Sequence, residues 1–503
     1  MTMFKKILVA NRGEIALRIM RTCREMNIGT VAVFSDIDRK SPFVCFADEA
    51  YPIGGTTSQE TYLNQKKILE ISQQSGSQAI HPGYGFLAEN ADFAQAVQEA
   101  GLTFIGPGAD SIRLMGNKTA ARQLMQEHGV PTVPGTLEPI TDKEKASDIA
   151  RQIGYPVLIK ASAGGGGKGM RLIQKEEEFF DGLESAAREA QSAFGDSSVY
   201  IEKFVEEPRH IEFQILADSK GHTIHLGERE CSIQRRHQKI IEESPSALLD
   251  SKLREKMGEA AITAARACNY LNAGTIEFLV DKHRNFYFLE MNTRLQVEHP
   301  VTEMVTGLDL VREQIQIAAG QDLTLSQSVS QFWGHAIECR LYAENPQNAF
   351  APSPGKIHYL KAADGPGIRE DSGVMQGSEI SLYYDPMISK LVAWGKDRPQ
   401  AIQRMIRALR EYEITGIHTT IPFLIRVLDH RQFRAGTFTT KFIEEYGNDL
   451  FIQNKERAAI AALASVIQQV QEKNQPKLGV NHRRHSPNNS RWKQIKRASN
   501  LRE

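Results

Sequence analysis

The sequence lacks the features that identify secreted, membrane-spanning or nucleic-acid-binding proteins. Its five cysteines lie far apart with no Cys-x-x-Cys pair, which argues against a zinc site and a disulfide framework. Lys plus Arg and Asp plus Glu both number 61, so no overall charge favours nucleic acid or an acidic membrane. No segment approaches the roughly 18 consecutive apolar residues of a membrane span, and the first apolar run is too short for a signal peptide. A cytoplasmic protein is therefore expected.

Two familiar nucleotide-binding motifs are also absent. The first strand-turn-helix segment carries a single turn glycine, Gly13, in place of G-x-G-x-x-G, which disfavours a dinucleotide site. The run AGGGGKGM at 163–170 is not a Walker A motif, because Gly169 follows Lys168 where Ser or Thr is required. Five glycines around a lysine, between two apolar strands, are nevertheless typical of a loop that closes over phosphates with its backbone N–H groups. A flexible surface linker is the alternative interpretation.

The order of apolar runs predicts several domains of mixed α/β and α+β class. Strands alternate with helices over about the first 115 residues, which predicts a doubly wound parallel sheet. From about residue 210 to 450 the strands are longer and the intervening helices fewer, which predicts a largely antiparallel sheet. The predicted divisions are 1–115, 116–320 with a glycine-loop lid at about 133–205, 321–450, and a tail at 451–503 that is first helical and then basic and flexible.

A pair of carboxylates is the strongest chemical signal. Glu277 lies inside an apolar strand, where an unpaired charge is costly. If residues 282–285 form a four-residue hairpin loop, counting back places Glu277 directly opposite Glu290. Asn292 then shares their face of the sheet. Opposed carboxylates repel unless a cation lies between them, and carboxylate and amide oxygens suit Mg²⁺ or Mn²⁺ shared with phosphates. A protonated or lysine-paired dyad is the alternative.

Two charged segments accompany this pair. Residues 290–300, EMNTRLQVEHP, alternate guanidinium, amide and carboxylate groups. In this segment Arg294 can bind a planar oxyanion with its guanidinium fork, and Glu298 can take a proton from that anion. Residues 228–239, ERECSIQRRHQK, concentrate cations near the same sheet and suit polyanion binding, although arginine-rich runs are usually solvated.

These motifs resemble those of the biotin carboxylase family of the ATP-grasp superfamily. The resemblance covers about residues 3–450 and is carried by KILVANRGEIA, HPGYGFLAEN, GNKTAAR, KASAGGGGKGM, RECSIQRRHQK, GTIEFLVD and EMNTRLQVEHPVTE. It implies a doubly wound N-terminal domain, an ATP-grasp domain with a glycine-loop lid, and an antiparallel C-terminal domain. The reaction it implies is phosphorylation of bicarbonate by ATP to carboxyphosphate, followed by transfer of the carboxyl group to N1 of biotin on another polypeptide.

The resemblance also implies roles for individual residues. The ATP-binding residues would be Lys118, Lys160, Gly166, Gly167, Glu202, Lys203, Val205, His210, Gln234 and His237. Mg²⁺ or Mn²⁺ would be held by Glu277, Glu290 and Asn292. Bicarbonate would contact Lys239, Arg294, Gln296 and Val297, with Glu298 as its base and Arg340 stabilising the biotin enolate. Ala163 and the pair Leu341-Tyr342 depart from other members of the family but remove none of these groups.

The absence of a Met-Lys-Met biotinylation tripeptide, and of room for further domains after residue 450, predicts one subunit of a multi-subunit carboxylase. Its expected partners are a biotin carboxyl carrier protein and carboxyltransferase subunits, and the family implies a homodimer; neither nucleic acid nor membrane is expected. The basic tail at 473–503 either docks one of these partners or is a disordered end. The final acceptor stays open among acetyl-CoA, propionyl-CoA and pyruvate. Alternative functions are another ATP-grasp ligase that joins a carboxylate to an amine, and a nucleotide-sensing scaffold without catalysis.

Overall fold

The structure, a computed structural model, describes residues 3–136, 139–140, 142–161, 170–327, 332–451 and 463. The N-terminal elements are β1 (Lys6–Val9), α1 (Gly13–Glu25), β2 (Gly29–Phe34), α2 (Pro42–Phe46), β3 (Glu49–Pro52), α3 (Gln65–Ser75), β4 (Ala79–His81), α4 (Ala91–Glu99) and β5 (Thr103–Phe104). The five strands pair in parallel in the order β3-β2-β1-β4-β5. Central strands β1 and β2 are apolar and almost wholly buried, as strands covered on both faces require. The predicted doubly wound sheet is confirmed.

A small antiparallel sheet with order β7-β6-β8 follows. Its region comprises α5 (Ala109–Gly116), α6 (Lys118–Glu127), α7 (Lys143–Ile153), β6 (Val157–Ala161), β7 (Arg171–Ile173), α8 (Phe179–Phe194) and β8 (Val199–Lys203). Helix α8 covers the sheet because Phe179, Leu183, Ala186 and Ala190 recur at helical spacing and are buried together. The glycine loop joins the neighbouring strands β6 and β7. Residues 162–169 of that loop, among them Gly166 and Gly167, lie outside the described residues.

An eight-stranded antiparallel sheet is the largest sheet among the described residues. Its order is β13-β12-β9-β10-β11-β14-β21-β19, in which β19 is Ile368–Ser372 and β21 is Met387–Gly395. Its first elements are β9 (Arg209–Ala217), β10 (Thr223–Arg235), β11 (Gln238–Ser244), α9 (Ser251–Ala267), β12 (Asn272–Val280), β13 (Phe286–Asn292), α10 (His299–Thr306), α11 (Leu310–Ala318) and β14 (His335–Tyr342). The predicted antiparallel sheet is confirmed. The sheet contains strands from both sides of the division predicted at residue 320, and the domain boundaries stay predictions.

The remaining elements are short strands and helices. They are β15 (Glu344–Asn345), β16 (Ala351–Pro352), β17 (Gly355–Lys356), β18 (Tyr359–Lys361), β19 (Ile368–Ser372), β20 (Glu379–Ile380), β21 (Met387–Gly395), α12 (Arg398–Glu411), β22 (Glu413–Thr415), α13 (Ile421–Asp429), α14 (Arg431–Ala435) and α15 (Phe442–Leu450). The expectation of few helices after residue 210 is wrong, since α9 to α15 all lie there. A long antiparallel sheet needs apolar cover on its buried faces, and amphipathic helices supply it. Among the described residues, no helix is both long enough and apolar enough to cross a membrane.

The two faces of the large sheet differ in chemistry. Because side chains alternate along a strand, β9 directs Ile211 and Phe213 into an apolar core with α9, where Met257 is also buried. The same strand directs Glu212 to the opposite face. Helix α10 packs across β10, β11, β14 and β21. The charged face of the sheet and the turn that precedes α10 together form the candidate site.

Candidate active site

Lys239 lies at the centre of a buried cluster of carboxylates. Its ammonium nitrogen is 2.5 Å from Glu212, 2.7 Å from Glu277 and 2.7 Å from Glu298. Burial alone would lower the pKa of Lys239, but the three carboxylates outweigh it and raise that pKa well above its usual range. Lys239 is therefore a permanent cation, and the structure brings it together with two other predicted site residues, Glu277 and Glu298.

Glu298 lies between two cations. Besides Lys239, it contacts Arg340, whose Nη2 donates to Glu298 at 2.9 Å, and Arg340 also donates to Glu242 at 2.7 Å. Burial would raise the pKa of Glu298, but Lys239 and Arg340 hold it well below its usual range. Glu298 is thus ionised and able to accept a proton. Arg340 is almost fully buried and is fixed by the two carboxylates.

The turn before α10 carries the predicted oxyanion residues. Arg294 donates at 2.8 Å to Glu89, at 3.0 Å to the side-chain oxygen of Gln296 and at 3.0 Å to that of Asn292. Gln296 in turn donates to Glu277 at 3.0 Å. Val297 is half-buried in the same turn. A guanidinium, an amide and a carboxylate therefore lie within one hydrogen-bonded group beside Lys239.

Glu277 and Glu290 are paired across β12 and β13, as predicted. The hairpin loop spans residues 281–285, one more than predicted, and a one-residue bulge at Leu289 restores the register. Burial and the charge of Glu277 raise the pKa of Glu290. In contrast, Lys239 and His210 hold the pKa of Glu277 far below its usual range against the effect of burial. Glu277 is therefore an ionised carboxylate that is paired with Lys239, and the metal site at Glu277 and Glu290 stays a prediction.

The donor set at this edge fits a hard divalent cation. Asn292 donates to Glu277 at 2.8 Å, and Glu290 is paired with Lys118 at the longer distance of 3.9 Å. Two carboxylates and an amide oxygen are ligands that Mg²⁺ accepts, and a cation here would relieve the repulsion that raises the pKa of Glu290. Two other sets of ligand atoms lie within 4.8 Å of one another among the described residues, namely His210, Glu212 and Glu277, and Glu212, Cys231 and Glu298. The carboxylates of both sets, Glu212, Glu277 and Glu298, all contact Lys239.

The predicted nucleotide residues fall into two groups: Lys118, Lys160, Glu202 and Lys203 lie on or near the small sheet and the cavity beside Glu290, and the other described residues border the large sheet. Lys118 lines a cavity of about 260 Å³ together with Glu290 and Asn292. On the small sheet, Lys160 is 2.5 Å and Arg122 is 2.9 Å from the carboxylate of Glu202. Lys203 instead donates to the carbonyl oxygens of residues 154 and 155, at 2.8 Å and 3.1 Å. Its ammonium is thus held by the backbone of its own sheet region.

The other nucleotide residues border the large sheet. His210 is 3.0 Å from Glu277 and accepts a hydrogen bond from Gln234 at 3.0 Å. Burial lowers the pKa of His210, but Glu277 outweighs it and the pKa is raised. Val205 lies half-buried between β8 and β9, and His237 is exposed at the turn between β10 and β11. The structure therefore groups His210 and Gln234 with the carboxylates and leaves His237 exposed to solvent.

Sequence reasoning missed four residues of this site: Glu89, Glu212, Arg229 and Glu242. Arg229 is fully buried and contacts Glu212 at 2.5 Å, so the expectation that the arginine-rich stretch is solvated is wrong for its first half. A signal was present for Glu212, because His210, Glu212 and Gln214 alternate with apolar residues as a two-faced strand requires. Glu89 lies in the motif HPGYGFLAEN, whose residue types alone do not indicate its contact with Arg294.

Comparison with known proteins agrees with this geometry. Residues 3–112 match the biotin carboxylase N-terminal domain, residues 117–326 the ATP-binding domain of the carbamoyl-phosphate synthase L chain, and residues 338–445 the biotin carboxylase C-terminal domain. Biotin carboxylase 1 of Bacillus subtilis is 55% identical over 445 residues, which are 88% of this chain and 99% of that protein. The small subunit of 2-oxoglutarate carboxylase from Hydrogenobacter thermophilus is 49% identical over 92% of this chain and 98% of its own length.

Solved structures show the same likeness. The biotin carboxylase domain dimer of Hydrogenobacter thermophilus 2-oxoglutarate carboxylase, in complex with MgADP, ADP and bicarbonate, is 50% identical with a TM-score of 0.85. The match covers 90% of this chain and all of that one. Sequence identity, shared length and shared fold agree, and the chain belongs to the biotin carboxylase family.

Proposed function

We propose that the protein catalyses ATP-dependent carboxylation of biotin on a separate carrier, with bicarbonate as the carboxyl source. The observation that carries the proposal is the position of Glu298, an ionised base 2.7 Å from Lys239 and 2.9 Å from Arg340. Glu298 lies at the end of the turn that begins with Arg294. In the sequence this turn comes directly after β13, which carries Glu290 opposite Glu277. Family membership and the bicarbonate and MgADP of the similar structure support the same reaction.

In the first step, bicarbonate binds to Arg294, Gln296, Val297 and Lys239, and Glu298 accepts its proton. A low pKa makes Glu298 a weak base, so the adjacent cations must make bound bicarbonate a stronger acid. The deprotonated oxygen attacks the γ-phosphorus of ATP; a new P–O bond forms and the bond to the β-phosphate oxygen breaks. Positioning and electrostatic stabilisation are most of what such a transfer needs from a protein.

The nucleotide side of the site is formed by the residues that the family resemblance assigns to ATP. Lys118 and Lys160 would contact phosphates, with Gly166 and Gly167 of the glycine loop above them, and Glu202, Lys203, Val205, His210, Gln234 and His237 would line the pocket. Glu277, Glu290 and Asn292 would hold Mg²⁺ or Mn²⁺, which neutralises phosphate charge when bound. The contacts of Lys203 with carbonyl oxygens favour support of the pocket over direct phosphate binding.

In the second step, the C–O bond of carboxyphosphate to its phosphate group breaks and inorganic phosphate leaves. A C–N bond forms between the carboxyl carbon and N1 of biotin, and the N1 proton passes to the released phosphate. Arg340 would stabilise the negative oxygen that forms on the ureido group of biotin, because its guanidinium is charged and held rigidly by Glu242 and Glu298. Closure of the glycine-loop region would keep water from hydrolysing carboxyphosphate.

The test is a measurement of ADP release with free biotin and labelled bicarbonate. We expect release to depend on both substrates, and we expect label to appear in carboxybiotin. Turnover that needs an amine and no biotin would favour another ATP-grasp ligase. Nucleotide binding without hydrolysis would favour a sensing scaffold.

The proposed partners follow from the relatives, some of which are named as subunits of larger carboxylases. We place this chain beside a biotin carboxyl carrier protein and carboxyltransferase subunits, as a homodimer in the cytoplasm. Its five cysteines are all free thiols, which suits a reducing compartment. Purification of the native complex, followed by identification of the transferase component, tests the partners and reveals the final acceptor.

A further inference from the structure

The turn from Arg294 to Glu298 is held through its backbone carbonyl groups. The carbonyl oxygen of Gln296 accepts a hydrogen bond from Nδ1 of His299 at 2.8 Å, and that of Val297 accepts one from Lys390 at 2.8 Å. A carbonyl oxygen accepts and never donates, so His299 carries its proton on Nδ1. The backbone N–H of His299 adds a longer hydrogen bond of 3.3 Å to the carbonyl of Gln296. The shorter contact to each of these two successive peptide groups comes from a side chain that has no part in the proposed chemistry.

A trans peptide points its N–H group opposite to its C=O group. Fixing the carbonyl of Gln296 therefore fixes the direction of the Val297 N–H, and fixing the carbonyl of Val297 fixes that of the Glu298 N–H. Neither N–H group has a hydrogen-bond partner within the described part of the chain. Buried backbone N–H groups are rarely left without a partner, so these two donors are available to a bound anion.

The two side chains are themselves fixed. His299 is fully buried, and burial holds its pKa well below the usual range, so it is neutral. Lys390 is also fully buried; its ammonium lies 3.4 Å from Glu14 on α1 and 4.0 Å from Asp371 on β19. Such a lysine has little freedom to move, because carboxylates from two other elements surround it.

We infer that His299 and Lys390 are positioning residues for bicarbonate: they hold the peptide groups of Gln296 and Val297 so that the N–H groups of Val297 and Glu298 face the bound anion. The inference rests on the proposed function. Neither residue touches substrate, and each acts through the backbone of the turn. Loss of either should weaken bicarbonate binding and leave ATP binding unchanged.

The test compares His299→Leu with His299→Asn in the full-length protein. Asparagine places its amide nitrogen near the position of Nδ1 and can keep the hydrogen bond, whereas leucine cannot. We expect His299→Leu to raise the bicarbonate KM by roughly tenfold to a hundredfold, with the ATP KM unchanged, and we expect His299→Asn to recover most of the loss. A purely structural role would shift both KM values or lower kcat alone.

Lys390 is tested with a charge-balanced variant, because Lys390→Met alone would leave Glu14 buried without its cation. We expect Glu14→Gln with Lys390→Met to raise the bicarbonate KM as His299→Leu does, and Glu14→Gln alone to keep it. This pair supplies the test if His299→Leu does not fold.

The inference would be overturned if the bicarbonate KM were unchanged both in His299→Leu and in Glu14→Gln with Lys390→Met. It would also be overturned if the ATP KM rose in parallel with the bicarbonate KM. Absence of bicarbonate-dependent ADP release in the unaltered protein would refute the proposed function and this inference with it. Normal release with unchanged KM values in the variants would refute the inference alone.

Discussion

Glu277 faces Glu290 across β12 and β13 because a bulge at Leu289 offsets a hairpin loop that is one residue longer than expected. The two carboxylates differ in surroundings: Glu277 is buried against Lys239, and Glu290 is partly exposed. The charge of Glu277 adds to burial in raising the pKa of Glu290. The carboxylates of Glu277 and Glu290 repel each other in the metal-free protein, and the same two negative charges attract a divalent cation.

Glu290→Gln should therefore weaken metal binding. We expect the Mg²⁺ concentration for half-maximal ADP release to rise by at least about tenfold, and the unfolding temperature in EDTA to rise, because the repulsion with Glu277 is removed. The exposed residue Glu206, which pairs with Lys282, provides the control Glu206→Gln. An unchanged Mg²⁺ requirement would remove Glu290 from the metal site.

Glu298→Gln should separate nucleotide binding from chemistry. Loss of a general base costs about 10²- to 10⁴-fold in rate, so we expect bicarbonate-dependent ADP release to fall by that factor while the Kd for ATP changes little. Titration with ATP and single-turnover assays check both quantities. The exposed Glu255 provides the control Glu255→Gln. Full turnover by Glu298→Gln would show that another group takes the proton.

Glu212→Gln should destabilise the fold, because Arg229 would keep its full burial and lose its ion-pair partner. Removal of one partner of a buried pair costs about 3–5 kcal/mol, and urea denaturation measures it. The matched control is Glu411→Gln on the exposed pair with Arg407, which should cost less than about 1 kcal/mol. Equal losses in the two variants would contradict this account.

The buried pair of Glu243 and Arg398 should make stability fall at acid pH. Burial would raise the pKa of Glu243, but Arg398 at 2.7 Å and His335 at 2.8 Å lower it from 4.5 to about 2. Because the folded-state pKa is the lower one, the stabilisation is present above about pH 4.5 and is lost as the pH falls toward 2.

Arg398→Met should accordingly lower the free energy of unfolding at pH 7 by about 3 kcal/mol. The difference from the unaltered protein should shrink below about pH 4, as denaturation at several pH values would show. Arg407→Met, on an exposed pair, should cost less than about 1 kcal/mol at every pH. A difference that persists at low pH would mean that Arg398 stabilises through packing and through its hydrogen bonds to the carbonyl oxygens of Phe433 and Arg434 rather than through its charge pair with Glu243.

The extent to which the site could be predicted follows from the range of each contact. Arg294 to Glu298 and the Glu277 hairpin are local in sequence, and their residue types already indicate an oxyanion and a metal. Arg229 could not be placed in this way, because its burial depends on β9 lying beside both β10 and β12. Strand order is a long-range property that periodicity does not contain.

The fold shows the same division. Apolar runs predict the alternating strands of the first 115 residues and the strand that contains Glu277, because these strands are buried and their apolar residues are consecutive in the sequence. The helices after residue 210 are harder to predict, because their apolar residues face the large sheet and the sequence alone does not show that this sheet is there to be covered. The contacts of Lys203 with backbone carbonyls depend on the pairing of β8 with β6, which brings Lys203 to the loop before β6, and the sequence of β8 does not encode that pairing.

Strand β11, which carries Lys239, is hydrogen-bonded directly to β14, which carries Arg340. The continuous hydrogen bonding between these two strands resists sliding of one strand along the other. Lys239, proposed to bind bicarbonate, and Arg340, proposed to act on biotin, are therefore held by one rigid part of the sheet. Opening and closing for substrate entry must then come from parts attached to this rigid part of the sheet rather than from a hinge across it. If the chain were divided between β11 and β14 and the two fragments were separated, each fragment would have an unpaired strand edge. We therefore expect neither fragment to catalyse its own step of the reaction.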